Sequence, residues 1–297
     1  MAELIGKDGT WTFDGDTVRI VPGTDRGVHK LRKLLGEVAV PLEAVAGIAY
    51  EAGKKGGRLR LRLRDGACPL QLATGGALPD VASPYQVKVD GNRTGVAEYF
   101  ADEVRNALLL EQVPDGPLDR FVVAGPAVPL TAGGMDGTAT FDGETVRLEW
   151  NWVVEESKKH AGDRAFKLDD LAGVEWSPAG GLGVGALRFN PHGMRTHVKP
   201  DHDPNCLALW GFQRESGATA LLAAAVVARL PHPAAVEDAV PPPPPALEKA
   251  AAPAADHDAI LRRLRELGEL RREGVLDEEE FAAAKRAILG RLAADQE

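Results

Sequence analysis

Four arginines occupy alternate positions in the run RLRLRLR: Arg58, Arg60, Arg62 and Arg64, separated by Leu59, Leu61 and Leu63. In an extended strand, successive side chains point to opposite faces, so the leucines share one face and the arginines the other. A row of guanidinium groups is chemistry for anions: phosphate esters, lipid headgroups or the carboxylates of an acidic protein surface. Lys54 and Lys55 precede the run in AGKKGG, and His29, Lys30, Arg32 and Lys33 lie in a predicted loop further upstream. The candidate anion- or partner-binding set is therefore Lys30, Arg32, Lys33, Lys54, Lys55, Arg58, Arg60 and Arg62. The competing reading is a solvated strand face neutralised by nearby acids. Residues 1–110 hold 15 Lys and Arg against 14 Asp and Glu, a balance that favours neutralisation.

Other chemically capable residues gather in HGMRTHVKPDHDPNC, where His192, His197, His202, Asp201, Asp203 and Cys206 fall within fifteen residues. Spacings of five match neither a helix face nor a known zinc pattern, and the Pro and Gly content reads as loop. No metal and no cofactor are expected, and a metal-dependent hydrolase built on this loop is the weakest functional alternative. GGLGVG at 180–185 lacks the strand-before, helix-after setting of a dinucleotide site and reads as a hairpin loop. Trp150, Trp152 and Trp176 are expected to pack in a core or at its mouth. No nucleophile elbow is present, so the chain is expected to be non-enzymatic.

The two cysteines, Cys68 and Cys206, lie far apart, which suits a reducing compartment better than a disulfide framework. MAELIGKDG has no signal-peptide core, and no stretch nears the roughly 18 apolar residues of a membrane span. A cytoplasmic location is expected. With a net charge of −9, nucleic acid is not an expected partner.

The elements that position these residues come in two copies. GKDGTWTFDGDTVR from Gly6 returns as GMDGTATFDGETVR from Gly134. In each, an Asp-Gly dipeptide between strand-like residues predicts a hairpin with a type I′ turn. The likeness continues downstream, with PLEAVAGIAYEAG against KLDDLAGVEWSPAG. Each copy then ends in a helix-like run, VAEYFADEVRNALLL or TALLAAAVVARL. About seven short strands and one helix result in each unit, enough to require curling or closure of the sheet edges. In the second copy, Lys158, Lys159 and His160 fall in the loop equivalent to 29–33, while Arg188 is alone on its strand.

After Pro231, five consecutive prolines mark an extended, solvated spacer. Beyond it, Ile260, Leu264 and Leu267 form one helical stripe and Gly274 stops the helix. Asp277 and Glu280 then form a capping box, with Leu276 and Phe281 as its hydrophobic staple. The expected two-helix hairpin is too short to be stable unaided. Leu264, Leu267, Leu270, Leu276, Phe281, Ile288 and Leu289 are its candidate interface for self-association or a protein partner.

The segment PLEAVAGIAYEAG…LRLRLRDG with its closing helix resembles the pleckstrin-homology-like (PH-like) barrel. Leu264, Leu267, Leu270, Gly274, Leu276, Glu280, Phe281, Lys285 and Leu289 resemble the short C-terminal domain, SHOCT. The whole order resembles an actinobacterial family described as a domain of unknown function. These resemblances imply a mainly β chain with two tandem PH-like barrels, each closed by a helix, then a Pro-rich linker and a helical hairpin. The expected boundaries are 1–112, a connector 113–133, a second unit 134–230, a linker 231–256 and the hairpin 257–297. They imply recognition and oligomerisation rather than catalysis. The alternative is a peripheral module docked on anionic lipid.

Overall fold

The computed structural model describes residues 1–180, 183–194, 198–209 and 217–235, so the proline spacer and the predicted hairpin, Leu264 to Leu289 included, lie outside the described residues. In the first half, β1 (Ala2–Ile5), β2 (Gly9–Phe13), β3 (Thr17–Pro22) and β4 (Val38–Pro41) form one antiparallel sheet in that order. β5 (Val45–Gly53), β6 (Gly56–Leu63) and β7 (Gln86–Asp90) form a second. Helix α1 (Lys30–Leu35) lies between β3 and β4, α2 (Pro69–Thr74) between β6 and β7, and α3 (Thr94–Leu110) ends the half.

The second half repeats this with β8 (Leu130–Gly133), β9 (Gly137–Phe141), β10 (Thr145–Trp150) and β11 (Arg164–Lys167) in one sheet. β12 (Leu171–Ser177), β13 (Gly185–Pro191) and β14 (Cys206–Leu209) make the other. Helix α4 (Glu156–Ala161) stands where α1 does, and α5 (Gly217–Val227) closes the half.

Among the described residues the chain is mainly β with helices, and neither half closes into a hydrogen-bonded barrel. The four-stranded and three-stranded sheets stay separate because a short 3-10 turn, Leu42–Ala44 or Leu168–Asp170, carries the chain from one to the other. α3 lies on β1 and β5, while α5 lies on β8 and β12. Among the described residues, no helix is long and apolar enough to cross a membrane.

The Asp-Gly hairpins form as expected, joining β2 to β3 and β9 to β10 in antiparallel register. Their turns differ from the expected type I′, in which both central residues take a positive φ. Gly15 and Gly143 have φ of 116° and 114°, while Asp14 and Asp142 remain outside the left-handed region. The aspartates act through their carboxylates instead. Asp14 Oδ1 accepts the amides of Thr17 at 2.8 Å and Asp16 at 3.0 Å. These bonds, that of Thr17 foremost, hold its carboxyl below the usual carboxylate range. Asp142 is lowered in the same way, first by the amide of Glu144 and then by that of Thr145.

A second aspartate in each phrase fastens the two sheets together. Asp8 Oδ1 accepts the amide of Lys88 on β7 at 2.9 Å, and its Oδ2 accepts Arg32 from α1 at 2.8 Å. In the second copy, Asp136 Oδ1 accepts the amide of Ala208 on β14 at 3.0 Å, and its Oδ2 accepts Lys158 Nζ from α4. The main chain adds a matching pair of bonds, Lys7 N to Lys88 O and Met135 N to Ala208 O. Each GxDG phrase is thus a corner joint between a hairpin, a short helix and the last strand of the other sheet.

The closing helices are not equivalent. In the first half, Phe100 of α3 meets Trp11 and Phe13 with ring centroids 6.3 and 6.4 Å apart. In the second, Ala139 replaces Trp11, and the small residues of α5 allow closer packing. Ten of the eleven α5 residues are buried, so this helix has no solvent face and must be covered on both sides. β8 and β12 cover one side, and α1 and α2 of the first half cover the other. Gly217 lies against Leu31 of α1, and Gly125 of the connector leaves no room for a Cβ beside Ala228. Residues Met1–Val236 accordingly form one compact unit with a core that runs through both halves.

Candidate functional site: a basic sheet face

β6 is the middle strand of its sheet, and its alternation works as expected. Leu59, Leu61 and Leu63 are buried, while Arg58, Arg60 and Arg62 stand on the opposite face. Register adds a cation that sequence reasoning passed over, because Lys88 on β7 lies directly opposite Arg58. On the other side, Glu51 of β5 is opposite Arg58 and lies 3.5 Å from Arg60 Nε. A carboxylate from outside the sheet completes the arrangement. Asp80, on the 3-10 turn Asp80–Ala82, sits 2.9 Å from Arg58 and 2.8 Å from Arg60. Arg62 makes one long bond, to Ala46 O at 3.4 Å.

The rest of the predicted set divides. Arg64 turns inward and donates to Gly116 O at 2.7 Å and Glu43 O at 3.0 Å, tying the connector to the first half. Arg32 is 2% exposed and committed to Asp8, so it is a structural cation rather than a ligand contact. It belongs to α1, a helix where the sequence suggested a loop. Lys33 donates to Thr24 O, and Lys30 is exposed on the same helix, which touches the turn carrying Asp80. Lys54 and Lys55 are exposed at the tip of the β5–β6 hairpin.

The second half spends its equivalents internally. Lys158 is fully buried, donating to Asp136 and to Cys206 O at 2.7 Å, with its Nζ 4.7 Å from the centre of the Trp150 ring. Arg188 on β13 is bonded to the buried Asp203 at 2.8 Å and to Val198 O at 2.6 Å.

In the histidine-rich loop, Asp203 also accepts the amide of Asn205, and Cys206 is buried on β14. His197 lies outside the described residues. Among the described residues, no three His, Cys, Asp or Glu side chains stand close enough to share a metal ion. Trp176 is buried and donates to Thr219 at 3.0 Å, and Trp150 is half-buried. Trp152, expected to pack, is 89% exposed. The turn it sits on is anchored by Asn151, which bonds Met135 O and the amide of Val153.

Burial pushes both thiols up, Cys206 to about 12, and Cys68 is further bonded to Tyr85 Oη at 2.9 Å. Folded chains should therefore resist iodoacetamide at pH 8, while urea-unfolded chains take up two adducts by mass spectrometry. Unfolded thiols ionise first as pH rises past about 9, so stability from this source is full below that pH and is lost above it. Rapid labelling of the folded protein at pH 8 would disprove this account of both sites.

A family model described as a domain of unknown function (DUF4429) matches residues 11–105 and 139–227, together more than half of the chain. The two matches coincide with the two halves of the fold. No curated protein matches the chain.

Proposed function

Because the chain belongs to the DUF4429 family, with two family units fused into one body, we propose that it is a non-catalytic binding and scaffold protein. In this reading, the two units are PH-like modules that have lost separate identity and act as one recognition body. Residues 257–297 are the SHOCT-like hairpin that assembles copies or recruits a second protein, tethered by the proline spacer. A cytoplasmic setting suits the two buried thiols.

The observation that carries this reading is one compact body presenting an outward row of guanidinium groups, Arg58, Arg60 and Arg62, on a central strand. Arg188, on the comparable strand of the second half, is consumed by an internal pair. A fused core holds that row in fixed geometry, which lowers the entropy cost of engaging a partner. Multiple copies held by the tail would add avidity without new contacts.

Light scattering tests the assembly half of the proposal. The full chain should have the mass of a defined oligomer, and a chain ending at Ala235 should have that of a monomer. Equal, monomeric masses would remove the hairpin's role in self-association.

A further inference from the structure

The Asp80 carboxylate holds two guanidinium groups at once, which is what an incoming ligand at this face would do. Resting on the reading of the body as a binding module, we propose that the β6 face takes an extended acidic peptide with carboxylates at alternate positions, and that Asp80 is the chain's own occupant of that site.

Spacing supports this ligand. Alternate residues on a strand repeat about every 6.6 Å, so Arg58, Arg60 and Arg62 form a ladder with that period. Alternate side chains of an extended peptide repeat at the same distance, so each carboxylate of such a peptide meets one arginine. Charge supports it too. Arg58, Arg60, Arg62 and Lys88 face Glu51 and Asp80, while Asp90 is taken by Lys7 at 2.8 Å. Arg58 and Lys88 are directly opposite each other in register, a like-charge pair that is unfavourable until an anion offsets it.

Asp80 is suited to leaving. Its side chain is 60% exposed, on a three-residue turn that follows Pro79 and is preceded by Gly75 and Gly76. Its ion pairs with Arg58 and Arg60 are solvent-exposed and therefore weak. A flat anionic bilayer fits less well, since Glu51 on β5 stays within the face after Asp80 leaves and repels it. A peptide can place a neutral residue opposite that acid.

The test uses the full-length protein and a fluorescein-labelled peptide of alternating Glu and Thr, followed by anisotropy. Binding should weaken steeply with salt. Asp80→Asn should tighten it by about threefold to tenfold, and Arg60→Glu should weaken it by more than about tenfold. Because Asp80→Asn is expected to gain binding, misfolding cannot mimic success. Absence of salt-sensitive binding, or an Asp80→Asn variant that binds no tighter, overturns the proposal. Tighter binding to phosphatidylserine vesicles than to the peptide overturns it in favour of a membrane surface. Light scattering on the same samples reports assembly separately, so failure here is distinguishable from failure of the scaffold reading.

Discussion

Replacing Asp136 with alanine should destabilise the protein by about 3–5 kcal/mol, because Lys158 is then left buried without its counter-charge. The amide of Ala208 loses its acceptor in the same step, and an unsatisfied buried donor adds about 1–3 kcal/mol. Whole domains are stable by only about 5–15 kcal/mol, so a large share of the folded state's margin is at stake. Urea unfolding of the residue 1–235 chain would measure the change from its midpoint. The double variant Asp136→Ala with Lys158→Met should recover much of the loss, since it removes both charges from the same space. Asp8→Ala is expected to cost less, as Asp8 keeps some exposure and Arg32 retains its bond to Asp8 O. A loss below about 1 kcal/mol for Asp136→Ala would mean that water reaches Lys158 easily, and the corner joint would not be structural.

Ala224→Asp should unfold both halves together. Ala224 is fully buried on α5, a helix covered by strands of its own half on one side and by α1 and α2 on the other. A carboxylate there finds no described partner and faces a penalty of at least about 3 kcal/mol. Hydrogen exchange followed by mass spectrometry separates the outcomes. Peptides from β2–β3 and from β9–β10 should lose protection to the same extent. Retained protection over β2–β3, with loss only in the second half, would show two domains that merely touch.

Local features could be read from the chain and distant ones could not. Asp-Gly hairpins were readable because a turn needs only neighbouring residues, and seven strands per half followed from alternation and turns. α1 and α4 look like loops in the sequence because six residues carry less than two turns of helical period. Arg32 looks like a surface cation in the sequence because its partner, Asp8, lies 24 residues away. One signal pointed to that partner: the third residue of each phrase stays Asp while its neighbour changes from Lys7 to Met135. Lys88 could be placed beside Arg58 only once the β6–β7 register was known. Sharing of α5 between halves had its own mark in the sequence, since TALLAAAVV offers no polar face at any angle.

That shared helix also sets a schedule for synthesis. Chains emerge N-terminus first at about 5–20 residues per second, and roughly 150 residues separate the end of α2 from the end of α5. On the ribosome, the apolar surface of α1 and α2 that awaits α5 is therefore uncovered for about 8 to 30 seconds. Exposed apolar surface of that kind is what makes partly folded chains prone to aggregate and what chaperones cover.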